Sequence, residues 1–191
     1  MPEVLDFTST QIKNASIQFM DGNTQQPGEK FGCMGTLESE TETRQKTKNC
    51  EGTIEVITIP LYQTVTIGAH IKVNVLKNIF GLSNEGLKAG VRKYGINSKG
   101  KKFIFTADEI DEFGDVKKLI AYPNCSTLTG LSVSIDNDAD EAAYIELEFR
   151  ASPDESGEFY YDAFVDELTD QTVAENWHTE FNRTLIEEVQ V

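Results

Sequence analysis

The stretch Leu61–Val75, LYQTVTIGAHIKVNV, decides the fold class. Leu61, Val65, Ile67, Ala69, Ile71, Val73 and Val75 share one parity, and Tyr62, Thr64, Thr66, His70, Lys72 and Asn74 take the other. Successive side chains on a strand point to opposite faces. The alternation therefore predicts one long β-strand with a core face and a water face. Gly68, in its middle, marks a bulge or bend.

The same period recurs on both sides. Ala15, Ile17 and Phe19 alternate with Ser16 and Gln18, and Leu131, Val133 and Ile135 with Ser132 and Ser134. Ala143, Ile145, Leu147, Phe149 and Ala151 alternate with Tyr144, Glu146, Glu148 and Arg150. Phe103–Phe105 and Val116–Tyr122 are partly apolar on both faces, as strands at a sheet centre or beneath a covering helix would be. Asn97–Gly100, Glu112–Asp115, Asp136–Asp140 and Pro153–Gly157 carry turn chemistry. About eight to ten strands so spaced predict a mainly β chain, a β-sandwich or barrel in a single domain over 1–191. Helix is scarce. Asn74 is placed to cap a short flanking helix with Leu76, Ile79 and Phe80 on one face and Gly81 as its stop. Ser83–Ala89 and Asp170–Trp177 read as further short turns, and 167–191, above all Thr179–Val191, as a C-terminal arm.

One segment lacks an apolar face. Residues 35–49 read GTLESETETRQKTKN: Glu38, Glu40 and Glu42 alternate with Ser39, Thr41 and Thr43, and then Arg44, Lys46 and Lys48 with Gln45 and Thr47. The pairs Glu40–Arg44 and Glu42–Lys46 suit a helix at i,i+4, whereas the threonines oppose one. The favoured reading is an extended polar β-hairpin over 35–59, closed by Thr53–Ile59, that projects from the domain or lines a wet channel.

The chain carries 17 basic and 32 acidic residues, a net charge of −15. Nucleic-acid binding needs a basic footprint, so this balance opposes it. Cys33, Cys50 and Cys125 form no CxxC pair and are odd in number. Free, reduced thiols in a cytosolic setting are expected, not a disulfide framework or a zinc site. Met1–Phe7 has no basic, then apolar leader, and no apolar run nears the ~20 residues that cross a bilayer.

Catalytic and metal signatures are weak. Asp136, Asp138 and Asp140 mimic the start of a calcium loop. Glu141 stands where glycine is needed and Leu147 where the closing glutamate belongs, so an acidic turn is expected. His70 and His178, the two histidines, have no local nucleophile, and no GxSxG, GxGxxG or GxxxxGK[ST] motif occurs. Phe159, Tyr160, Tyr161 and Phe164 suggest a strand whose faces meet core and neighbour, or an aromatic ligand platform. The chain is expected to have no enzymatic activity, no cofactor and no tightly bound metal.

Residues 81–168 resemble the major tail proteins of long-tailed, non-contractile bacteriophages and prophages of Gram-positive bacteria. The segments that carry the likeness are KYGINSKGK (93–101), ADEIDEFGD (107–115), KLIAYPNC (118–125) and FRASPDESGEFYY (149–161). Their order, not any catalytic motif, makes the resemblance. It implies a β-sandwich or barrel of the tail-tube type with a flanking helix. The subunits would assemble into stacked hexameric rings around a channel that DNA traverses without specific binding. It further implies tape-measure and terminator proteins as partners, no membrane, the virion tail as location, and the host cytoplasm during assembly. Glu38, Glu40, Glu42, Arg44, Lys46 and Lys48 are the candidate lumen or inter-ring contacts. The alternatives are another phage ring protein, such as a tail terminator or head decoration protein, and a carbohydrate-binding β-sandwich.

Overall fold

The computed structural model describes residues 4, 6–50, 53–114, 117–133 and 144–188. The expected calcium-like loop at Asp136–Asp140 and the turn of the polar hairpin lie outside the described residues.

Nine strands form one antiparallel sheet: β1 (Gln11–Asp21), β2 (Thr24–Gln25), β3 (Glu29–Lys30), β4 (Gly32–Cys50), β5 (Thr53–Ile71), β6 (Phe103–Ile110), β7 (Lys117–Thr127), β8 (Ile145–Ala151) and β9 (Tyr161–Phe164). The order is β2-β1-β6-β7-β8-β5-β4, with β3 also on β1 and β9 also on β7. The sheet curls back on itself. Phe31, between β3 and β4, donates its N–H to Ala15 of β1 (2.9 Å), and its carbonyl accepts from Lys72 (3.0 Å). One end of the seam between β1 and β4 is thereby closed. Inside lies a continuous core of Ile17, Phe31, Val65, Ile67, Phe105, Phe149 and their neighbours, all buried. Pro123 lies at an irregularity of β7 opposite β6. Having no N–H to give, it falls where β7 changes partner, from β9 at 118–121 to β8 at 125–127.

The predicted strand over Leu61–Val75 is longer at its start and shorter at its end. β5 begins at Thr53 and stops at Ile71, because Lys72 turns toward Phe31 and opens α1 (Val73–Phe80). Val73 is 57% exposed, while Val75, Ile79 and Phe80 enter the core. Gly81 ends the helix in the left-handed conformation at φ 66°, as expected. Asn74 is not the cap. Lys72 occupies that position, and the Asn74 amide donates to the Glu29 carboxylate (2.9 and 3.2 Å). Ser83–Ala89 forms turns and no helix.

Over residues 170–188 the C-terminal segment is docked on the sheet and is not an arm. Asp170 caps α2 (Gln171–Asn176), and a single turn, α3 (Arg183–Ile186), follows. Between them Trp177 and Phe181 are buried against Ile104, Leu119 and Ala121, on the outer face of β6 and β7. The two-faced apolarity of those strands thus has its cover. The Trp177 indole N–H donates to the Ile120 carbonyl (3.0 Å).

Candidate functional site: an acidic sheet face that runs into an unsupported hairpin

β4 and β5 are nineteen residues each and pair over their whole length, from Gly32↔Ile71 to Cys50↔Thr53. The strand reading of 36–49 holds, and the i,i+4 helix does not form. Only the first half of this ribbon is supported. β8 pairs with residues 63–69 of β5, and β4 has no partner on its other edge among the described residues. Beyond Glu42↔Tyr62 the two strands pair only with each other among the described residues. The unsupported arm is therefore 42–62, shifted from 35–59, because Met34 and Leu37 pack against the core.

Two irregularities shape the ribbon. One falls between Met34 and Thr36, so the extra residue is Gly35 of β4 and not Gly68. Both glycines sit at close approaches. A Cβ at Gly35 would meet the Tyr144 ring at 2.6 Å, and one at Gly68 would meet the Thr36 hydroxyl at 2.7 Å. The other lies at Leu61 of β5, where the arm leaves the body. β4 has no extra residue from Thr36 onward, so its alternation is unbroken to Cys50.

Parity then assigns the faces. Leu37 and Ser39 lie opposite Ile67 and Val65, so the odd residues of β4 continue the core side. Glu38, Glu40, Glu42, Arg44, Lys46 and Lys48 all take the outer side and are all exposed. In the body, Glu146 and Glu148 of β8 join the three glutamates across Gly68 and Thr66. Five carboxylates thus cover this face. Arg150 interrupts them, its guanidinium 4.1 Å from the centre of the Tyr62 ring. In the arm the same outer side is basic on β4. Its other side, with Thr43, Gln45, Thr47 and Asn49 beside Pro60, Thr58, Val56 and Ile54, bears no charge. Ile54, Val56 and Ile57 are 67%, 57% and 48% exposed, an unusual state for aliphatic side chains on a strand.

The histidines separate. His70 stacks on Tyr144 at the surface, with ring centres 4.7 Å apart. His178 enters a polar cluster that sequence spacing does not reveal. Its Nε2 lies 2.8 Å from Asp108 Oδ1, and its Nδ1 lies 2.9 Å from the Thr106 hydroxyl. Lys117 Nζ (2.8 Å) and Asn14 Nδ2 (2.6 Å) reach the second Asp108 oxygen. Burial alone would raise the Asp108 pKa, but hydrogen bonds from His178, Lys117 and Asn14 outweigh it and hold the carboxyl below its ordinary range. The order Thr-His-Asp resembles a hydrolytic triad. Thr106 and Asp108 are, however, fully buried beneath the C-terminal segment, out of a reactant's reach. The contacts fasten that segment to β1 and β6. Ser16 Oγ donates to the His178 carbonyl (2.7 Å), and Gln18 Oε1 accepts from the Phe181 N–H (2.9 Å).

The aromatic run does not form one platform. Phe159 and Tyr160 pack on the main core, and Tyr161 packs beneath the C-terminal segment. Cys125 is buried, and that burial pushes its thiol well up, whereas Cys33 is exposed. Among the described residues no cluster of three metal-ligating side chains occurs. Among the described residues no helix is long and apolar enough to cross a membrane.

No family model and no curated protein matches the chain. Solved structures similar in fold include two from tail-like assemblies. One is the tube-terminating cap of the anti-feeding prophage, with TM-score 0.45 and 11% identity, covering 85% of this chain and 95% of that one. The other is the sheath-tube complex of an extracellular contractile injection system (PVC) in its extended state, with TM-score 0.45 and 10% identity, covering 78% and 88%.

Proposed function

We propose that the chain is a structural virion protein, the major tail tube subunit of a long-tailed phage or prophage. Its copies form stacked hexameric rings around a conduit for DNA. The sequence resemblance over 81–168 supplies the class. The observation that carries the reading is the ribbon of β4 and β5, whose outer half contributes no residue to either core cluster. A two-stranded ribbon of that length is marginal alone, so it has a use only where another subunit covers it. The acidic outer face of β8, β5 and β4 suits the inner wall. A ring multiplies its potential and repels phosphate, while a Debye length of about 8 Å leaves DNA near the axis unhindered. Tape-measure and terminator proteins would meet the tube at its interior and end, without catalysis, cofactor or metal.

Negative-stain microscopy of concentrated protein tests this. Stacked rings or tubes with a hollow centre are expected. Single rings would favour a terminator or decoration protein, and the absence of any ring at high concentration would overturn the reading. Tubes should also fail to retain duplex DNA at low salt, where a basic lumen would bind best.

A further inference from the structure

The free edge of β4 has a property that its charge count hides. Its regular part, from the irregularity at Gly35 to Cys50, is centred on Thr43. On the outer face three acidic residues precede that centre and three basic residues follow it: Glu38, Glu40, Glu42, then Arg44, Lys46, Lys48. Such a strand is complementary to itself when reversed. Laid antiparallel on a second copy with Thr43 opposite Thr43, it sets Glu42 against the partner's Arg44, Glu40 against the partner's Lys46, and Glu38 against the partner's Lys48. Two-fold symmetry repeats all three. The other face then matches Thr41 with the partner's Gln45 and Ser39 with the partner's Thr47, uncharged on both sides. Directly opposed side chains on an antiparallel pair are the closest in a sheet, and opposite charges there stabilise the pairing.

We propose that two copies of this chain dimerise through their β4 edges, antiparallel about a two-fold axis at Thr43, held in register by the Glu-Glu-Glu/Arg-Lys-Lys order.

Competing registers are worse. A shift of two residues one way sets Glu42 on Glu42, and the other way Arg44 on Arg44. A parallel pairing in register sets every charge on its like. A parallel pairing slipped by six residues recovers three of the six ion pairs and leaves half of each strand bare. A one-residue slip moves the charges to opposite faces of the joined sheet. Space is available. Residues 38–49 are all exposed. Charges alone would suffice to keep a long edge from aggregating, and for that task their order is immaterial. Here the signs are segregated about the midpoint of the regular strand. The pair is isologous and does not rest on the tube reading. A polar tube uses heterologous contacts and brings no residue against its own copy, so the pair belongs to the free subunits and opens before the arm enters a tube.

The test is a charge swap on the full chain, with folding checked by circular dichroism and mass by analytical ultracentrifugation at low salt. The natural protein should sediment as a dimer that salt weakens. The triple variants Glu38→Lys/Glu40→Lys/Glu42→Lys and Arg44→Glu/Lys46→Glu/Lys48→Glu should each weaken self-association at least about tenfold. Mixed in equal amounts they should form a heterodimer, since every rung is again complementary. In a Cys33→Ser/Cys50→Ser background, Thr43→Cys should cross-link to itself on oxidation, and Thr41→Cys, which faces position 45, should not. A natural chain that stays monomeric, triple variants that still dimerise, a mixture that stays unpaired, or cross-linking equal at 41 and 43 would each overturn the proposal. Tubes in the microscope would leave each of these outcomes readable, because only a two-fold contact joins Thr43→Cys to its own copy.

Discussion

Cutting the arm from the body should leave the fold nearly as stable as before. Glu42 and Tyr62 are already paired, so residues 43–61 can be replaced by Asn-Gly, the preferred two-residue hairpin turn. No residue of the removed segment belongs to either core cluster, so no cavity forms and no apolar cover is lost. Two small terms remain. The rungs of an isolated ribbon contribute about 0–1 kcal/mol net. Replacing a closure of roughly 20 residues by a two-residue turn returns about 2 kcal/mol of loop entropy. They oppose each other, so the change should stay within about 2 kcal/mol, or roughly 6 °C in Tm for a chain of this size. Thermal unfolding followed by circular dichroism reads it, and microscopy of the same sample should find no tubes. The comparison deletion, Glu38–Lys48, removes the rungs opposite Val65 and Thr66 and should cost several kcal/mol. A Tm loss beyond about 10 °C for the arm excision would refute the reasoning, because it would mean that the ribbon supports the core.

Trp177→Ala should cost about 3–5 kcal/mol, since it empties the centre of the outer core; hydrogen exchange should rise first over β6 and β7. Gly28→Ala should loosen the same segment, because a Cβ there would overlap the His178 carbonyl; limited proteolysis after Thr169 reads this. The Asp108 carboxyl is held below its ordinary value, so it contributes stability above the usual carboxylate range near pH 4 that is lost as pH falls through its own lower pKa. Asp108→Ala should remove that acid-dependent part and cost about 3–5 kcal/mol at neutral pH by leaving Lys117 and His178 without their partner.

Val65–Ile71 and Ile145–Ala151 were legible because one face of each is apolar, and they bury it in the core. Residues 131–133, which begin a similar alternation, form no strand. The docked C-terminal segment was not legible, and the reason is specific. The outer face of β1 and β6 presents Ser16, Gln18, Thr106 and Asp108, which read as a water face. They are buried because they bond to main-chain groups and to His178 of the segment laid over them. A buried polar residue with all its partners looks in sequence like an exposed one, and those partners lie about 70 to 160 positions away. Trp177 and Phe181, four residues apart, were the available signal, since two large aromatics seldom stay in water. The polar hairpin was legible as a strand through its alternation and its threonines. Its boundary was not, because only the pairing with β8 reveals where support ends.

A strand edge meant for assembly faces two demands that conflict. Alone, it must not pair with any passing edge; in its complex, it must pair firmly. Apolar edges meet the second demand and fail the first. Edges blunted by one sign of charge do the reverse. β4 meets both through the order of its charges. In the free chain six ionic side chains hydrate the edge and repel most partners. Against a strand that carries the reversed order, every charge finds its opposite at the shortest distance a sheet allows. Each such pair is worth only about 0.2–1 kcal/mol, so the discrimination is collective and depends on register. Moving Glu42 and Arg44 past one another, as Glu42→Arg/Arg44→Glu, preserves composition, net charge and β propensity. It also preserves complementarity, because the two positions face each other across the axis. Exchanging Glu40 with Arg44 in the same way does not, since it sets arginine against Lys46 and glutamate against Glu42. The first double variant should associate like the natural chain and the second should not, although both carry the same residues. If sedimentation finds the two alike, the order of charge on β4 has no part in how the edge chooses its partner.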